Sequence, residues 1–412
     1  MSCAGSAFPI LLILAAQTAA ASETFYNVKL TVDLDRQEIV GREEIRFTHP
    51  RGDFEWQKQA GLRLLHSSGD VDPADTTVRT RFRSDGSQHL KFEYTATAAR
   101  GLRWLPDKGG LFTAFYCEAW MVCSTAPGQR ATLRLEIVIP GSALTAVGPG
   151  KLRRGWEDHA GRHFLYEQSE PAQTYLFSFC VARLKASTMG EFTVYSSAPD
   201  RNGALRRTAD AAAFMRKRAG VDAIRGGYRQ AFLAQAGLAQ ESSDLALLSE
   251  DYLAKLEQED DVVLMAHELA HQWWGKLVGI RSWSDSWLNE GMAEFISLVY
   301  LEQERGHPAY VERIDRLKSQ MAEIRGRGAD RPLHFESWTD VRDALGRVPY
   351  VKGALFLDRL RTELGEEAFW RGMALYTARY AWQLVDSRDF QRAMEEAGGR
   401  TLDLLFLEVY GN

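Results

Sequence analysis

His267-Glu268-Leu269-Ala270-His271 sets two imidazoles four residues apart with a carboxylate between them. On a helix, residues four apart lie one turn above each other, so both rings project from one face and can share one zinc ion at roughly 2.0–2.1 Å. Glu268 stands beside them, free for proton transfer. A catalytic zinc usually takes a third protein ligand and keeps its fourth position for water. Glu290, in Trp287-Leu288-Asn289-Glu290-Gly291 at the start of a second helical pattern, fits that third place after the interval 272–289. The five-residue pattern alone also arises by chance on packed or exposed helices. The spaced glutamate argues for zinc over coincidence, as does the helix expected within Asp261 to Gly275, acidic at its start and ending at glycine. His307 and His334 are expected on the surface or in satisfied hydrogen bonds.

The elements that must hold these residues change character along the chain. From Phe25 to about Asp200, apolar residues alternate with polar ones, as in Val28, Leu30, Val32, Leu34 and in Leu133, Leu135, Ile137, Ile139. This is the mark of half-buried strands. Ser84-Asp85-Gly86 and Pro149-Gly150 punctuate them, and the apolar run Tyr175 to Val181 suits a central strand. Beyond about Arg201 the spacing becomes helical, for example over Tyr310 to Arg325 and Gly353 to Leu364. The fold class expected is α+β and multidomain: a β-sandwich or saddle over 23–200, a boundary near Pro199, and a mainly helical domain over 201–412. Without a linker or repeat between them, the two should pack directly.

The chain has 412 residues, 45% hydrophobic and 25% charged, a soluble globular composition long enough for two cores. A formal net charge of -5 lacks the basic excess that phosphate backbones draw on, so nucleic acid is not an expected partner. Residues 1–22 carry an apolar run from Ala7 to Ala16 followed by Ala19, Ala20, Ala21 and Ser22, which fits a signal peptide and export to a periplasmic or extracellular space. An uncleaved membrane anchor is the alternative, although the run is shorter than the ~20 residues a spanning helix needs. Cys3 would leave with that segment. Cys117 and Cys123 could then pair across a short loop, or stay buried free thiols as Cys180 would.

Read together, His267-Glu-Leu-Ala-His271-Gln-Trp-Trp-Gly and Trp287-Leu-Asn-Glu290-Gly resemble the aminopeptidase N family of gluzincin metallopeptidases, which includes a leukotriene epoxide hydrolase. Tyr350-Val351-Lys352-Gly353 is similar to the family's Tyr-x-Lys-Gly motif, whose tyrosine stabilises the tetrahedral intermediate. Arg130-Ala131-Thr132-Leu133 and Pro171-Ala172-Gln173-Thr174-Tyr175-Leu176 resemble segments of its amino-terminal saddle domain. The resemblance thus implies a β-saddle followed by a thermolysin-like catalytic domain, with one zinc per chain held by His267, His271 and Glu290.

Two departures qualify it. The family's Gly-x-Met-Glu-Asn amine-binding motif is replaced by Leu238-Ala239-Gln240-Glu241-Ser242, in which only the carboxylate of Glu241 is kept. A carboxylate is the group that pairs with an α-ammonium, and the bland alternative is a solvated acid at a helix start. Glu118, in Cys117-Glu118-Ala119, resembles a second amine anchor, with a surface glutamate as its alternative. The family's following Pro-Cys-x-Asp reads here Val122-Cys123-Ser124-Thr125. The second departure is the expected lack of a carboxy-terminal helical roof, which implies either a more open enzyme or a wall supplied by another copy or a partner subunit.

The chemistry implied is zinc-dependent removal of amino-terminal residues from peptides with a free amino end, with Glu268 as general base and acid and Tyr350 donating to the oxyanion. Three rivals remain: a zinc endopeptidase, an enzyme like the epoxide hydrolase on the same scaffold, and a silent peptide-binding module. The amine-anchoring acids argue against the first two. Against the third stands the lack of a fourth Cys or His to close the site.

Overall fold

The computed structural model of the chain describes residues 24–411, except 50, 142, 200, 260 and 341–345. The expected signal peptide, with Cys3, lies outside the described residues. Among the described helices, none is long and apolar enough to cross a membrane.

Among the described residues the first half is built on a seven-stranded sheet. Its spatial order is Lys151–Asp158, Gly161–Gln173, Arg130–Ile139, Thr24–Asp33, Glu38–His49, Gly86–Ala96 and Leu62–Ser67. Period two does its work here, since Tyr26, Val28, Leu30 and Val32 turn to one face and are at most 1% exposed. Smaller sheets complete the half, one of four strands containing Gly110–Thr113 and Cys180–Ala182, and one of three containing Gly52–Gln57.

The strand expected over Tyr175 to Val181 is not formed as such. Thr174–Leu176 is a single 3-10 turn and only Cys180–Ala182 enters a ladder. Around this stretch the backbone bonds to both halves of the molecule: Ser242 Oγ donates to Leu176 O and accepts from Ser178 N–H, Ser243 N–H donates to Leu176 O, and Phe179 N–H and C=O bond to Thr113. Burial made this run apolar, and these bonds took it out of the sheet.

The second half is less purely helical than its sequence suggests. A five-stranded sheet runs Lys185–Met189, Phe192–Ser196, Tyr228–Leu233, Leu245–Ser249 and Ala239–Ser242, so strands from both sides of Pro199 share one ladder. Its inner strands are parallel, and Tyr228–Leu233 and Leu245–Ser249 are buried along their whole length, which removes the alternation that marks a strand in sequence. Helices follow: α1 (Asn202–Ala219), α2 (Glu250–Ala254), α3 (Val263–Ala270), α4 (Trp287–Arg305), α5 (His307–Gly326), α6 (Arg347–Leu364), α7 (Glu366–Arg379), α8 (Ser387–Gly398) and α9 (Asp403–Tyr410). One apolar core joins both halves, from Val28 and Trp120 through Phe179 to Met265, Trp287 and Phe356.

The two saddle-like segments clamp the halves together. Arg130 Nη2 donates to Lys276 O at 3.0 Å and Gln383 O at 3.1 Å, and Gln173 Nε2 donates to Ile280 O at 2.9 Å. Gly279 makes room for both, because a Cβ there would lie 2.5 Å from Gln173 Oε1.

Candidate metal centre and active site

The metal helix is shorter than the sequence implies. α3 ends at Ala270, because the chain turns so that Lys276 N–H donates to His271 O, with Gly275 at φ +145° against that same carbonyl. His271 nevertheless keeps helical angles, φ -61° and ψ -14°, so the four-residue spacing still stacks the two imidazoles. Their Nε2 atoms are 3.2 Å apart, and each lies 3.5 Å from Glu290 Oε2 on α4. All three residues are buried.

Each ring is aimed by its other nitrogen. His271 Nδ1 lies 3.2 Å from Trp274 O, and His267 Nδ1 lies 3.3 Å from Glu294 Oε2. Such partners fix the tautomer that offers Nε2 to a metal. Glu294 was not singled out from the sequence, although its position four residues after Glu290, on the same face of α4, was the available signal.

The residues fit a metal. Three ligand atoms at 2.0–2.1 Å from a tetrahedral ion stand about 3.3 Å apart, which matches the spacing found. Two imidazole nitrogens and a carboxylate oxygen form a donor set suited to zinc. Glu290 Oε2 and Glu268 Oε2 are buried without a hydrogen-bond partner among the described residues.

Tyr350 stands in the first turn of α6, its ring parallel to that of His267 at 3° and 5.7 Å. Glycines make this possible. A Cβ on Gly291 or on Gly353 would lie 2.8 Å from the other's Cα, so α4 and α6 touch backbone to backbone beside Glu290 and Tyr350. Lys352 anchors the same turn, its Nζ donating to Asp330 Oδ1 at 2.8 Å and Arg331 O at 2.7 Å.

Glu241 lies on the edge strand Ala239–Ser242 and is 5% exposed, which overturns the alternative of a solvated acid at a helix start. It lines one hollow of about 320 Å³ together with His267, Glu268, Glu294 and Tyr350. Gln272, next to His271, ties this strand to the metal helix: its Nε2 donates to Ser242 O and its Oε1 accepts from Asp244 N–H. The buried pair Lys276–Asp244 closes the same turn.

Burial raises the Glu241 carboxyl to about 8, with Glu290 and Glu268 adding to the rise against the pull of His271. Burial also raises Glu268, opposed by His267 and His271. Glu290 goes the other way, since both histidines outweigh its burial. A dication among these acids favours their ionised forms.

Glu118 is not in this hollow. It lines a neighbouring one of about 120 Å³ with Tyr175 and Asp340, and the two hollows meet at Phe115. It is half-buried rather than a surface residue, with burial raising its carboxyl and Gln59 Nε2 at 3.5 Å. Cys117 and Cys123 are joined in a disulfide around it, while Cys180 is a buried free thiol. Tyr175, in the smaller hollow, accepts at its hydroxyl from Asn289 Nδ2 at 2.7 Å, one residue before Glu290. The other histidines are satisfied as expected, His334 by Asp285 and His307 by Glu302.

A His-Glu-x-x-His helix completed by a glutamate from the next helix defines a gluzincin-type metallopeptidase domain. Residues 235–409 match the peptidase family M1 domain. A probable aminopeptidase 1 of Saccharolobus solfataricus is 27% identical over 190 residues, 41% of this chain and 24% of its own length. Endoplasmic reticulum aminopeptidase 1 of Rattus norvegicus is 31% identical over 132 residues, 32% of this chain and 14% of its own. The matched stretch therefore spans a quarter or less of these relatives. Native yeast LTA4 hydrolase shares the fold across both halves, with a TM-score of 0.80 at 20% identity over 95% of this chain and 68% of its own.

Proposed function

We propose that the protein is a zinc-dependent aminopeptidase that removes single residues from peptides with a free amino end. The observation that carries this reading is the buried Glu241 carboxylate in the hollow that also holds His267, Glu268 and Tyr350. Held by His267, His271 and Glu290, zinc would supply a Lewis acid and lower the pKa of water into the neutral range.

The chain's own groups do the rest. Glu268, which lines the hollow and whose Oε2 has no hydrogen-bond partner among the described residues, takes the proton of the attacking water and later returns it to the leaving amine. The Tyr350 hydroxyl, kept protonated chiefly by burial, donates to the developing oxyanion. Glu241 pairs with the substrate's α-ammonium, and so sets where the substrate may begin. Glu118, in the neighbouring hollow, would act as the second anchor of that amine.

Export is part of the proposal. The Cys117–Cys123 disulfide supports an oxidising compartment. A wall over the site supplied by another copy or a partner subunit is also proposed, and sedimentation analysis would detect the assembly.

A panel of aminoacyl fluorogenic amides, assayed with and without a zinc chelator, tests the reading. Hydrolysis that stops on chelation and returns with zinc is expected; chelator-resistant hydrolysis, or none at all, contradicts it.

A further inference from the structure

The hollow at the metal centre holds four carboxylates, Glu241, Asp261, Glu268 and Glu294, and one guanidinium, that of Arg313. Its walls form a stack: α3 packs on the strand Ala239–Ser242, α4 on α3, and α5 on α4. Glu241 enters from the strand at one end of that stack and Arg313 from α5 at the other, with His267 and Glu268 of α3 between them. A cation and an anion site thus flank the catalytic groups.

Arg313 is loosely held. Its ion pair is with Asp261 at 4.0 Å, the outer edge of such a contact, and the two side chains are 36% and 38% exposed. A guanidinium in that state keeps its planar fork available for a carboxylate. The hollow, about 320 Å³, is near the lower end of the range for small-molecule sites. An extended peptide spans roughly 3.3–3.6 Å per residue, so a di- or tripeptide carries its two charged ends about 7–11 Å apart.

We propose that Arg313 receives the free α-carboxylate of a short peptide whose α-ammonium is held by Glu241, which makes di- and tripeptides the favoured substrates. This inference rests on the aminopeptidase reading and narrows its substrate class. A longer chain offers Arg313 a neutral amide in place of the carboxylate and forfeits the charge-assisted bond.

The test compares trialanine with trialanine carboxamide, both with free amino ends, on zinc-loaded wild-type protein and on Arg313→Gln. The wild-type enzyme should prefer the acid by about tenfold in kcat/KM, the size of one partly exposed charge-assisted hydrogen bond. In Arg313→Gln the ratio of acid to amide should fall to near one. A wild-type ratio near one overturns the inference while leaving the aminopeptidase reading in place. So does a tenfold preference that survives in Arg313→Gln. If the wild type hydrolyses neither peptide, the aminopeptidase reading falls and the inference falls with it.

Discussion

His267, His271 and Glu290 sit on two helices whose internal spacing fixes most of their relation, whereas Glu241 and Glu118 reach the cleft from an edge strand and a disulfide-closed loop. The first group needs one helix contact to assemble. The second depends on pairings between distant parts of the chain, such as Ser242 and Ser243 against Leu176, or Asn289 against Tyr175. Chemistry that is local in sequence and chemistry that is assembled by tertiary structure therefore meet in two adjoining hollows, Glu241 beside His267 and Glu268 in one and Glu118 in the other.

The largest expected effects break the helix-borne side. Glu290→Ala removes a metal ligand, so zinc in the purified protein and activity should fall together, as elemental analysis and an amide assay would report. Glu268→Gln should separate the two, keeping zinc while lowering kcat by at least roughly 10²-fold, because the amide cannot accept the water's proton. Zinc retained at full stoichiometry in the first variant, or lost in the second, would reverse the roles assigned here.

Next in size is the clamp between the halves. Arg130 is half-buried with its Nη2 on carbonyls of the second half. Arg130→Ala should lower unfolding free energy by about 3 kcal/mol, the range for charged hydrogen bonds whose partners are left unpaired. Denaturant unfolding measures it. A drop below the error of the fit would mean that the apolar core alone joins the halves.

The smallest change is one methyl group. Gly353→Ala brings a Cβ to 2.8 Å from Gly291 Cα and must part α4 from α6. A stability loss of about 1–3 kcal/mol is expected from the overpacking. Because Tyr350 and Glu290 ride on the two helices, kcat should fall more than KM rises. An unchanged kcat would detach Tyr350 from the oxyanion role.

The sequence made the helix-borne side legible almost residue by residue, since four-residue spacing is conserved by any helix, even one that ends at Ala270 as α3 does. The glycines of Glu290-Gly291 and Lys352-Gly353 stand in the family-like motifs, but their meaning as a backbone contact appears only when both helices are in place. On the sheet-borne side, Tyr228–Leu233 contains Arg229 and Gln230 and is buried throughout, so neither alternation nor an apolar run marked it as a strand. The burial of Glu241 was illegible for the same reason: its strand lies at the edge of that unmarked sheet. Glu118 matched its motif yet opens on a separate hollow, because one residue's local pattern does not say on which side of Phe115 it will lie.

Whether the two sides act as one site is tested most directly at the substrate's amino end. The measurement is a mass-spectrometric time course of one peptide, free and amino-acetylated, incubated with the zinc-loaded protein and with Glu241→Gln. Acetylation removes the charge that Glu241 pairs with and leaves a buried carboxylate facing a neutral amide, so a lost bond of roughly 1.5–3 kcal/mol is joined by an unpaired-charge penalty. Stepwise loss of single residues from the free peptide alone, weakened in Glu241→Gln, is the predicted result. Equal internal cleavage of both forms by the wild type would contradict the account and make the metal centre that of an endopeptidase.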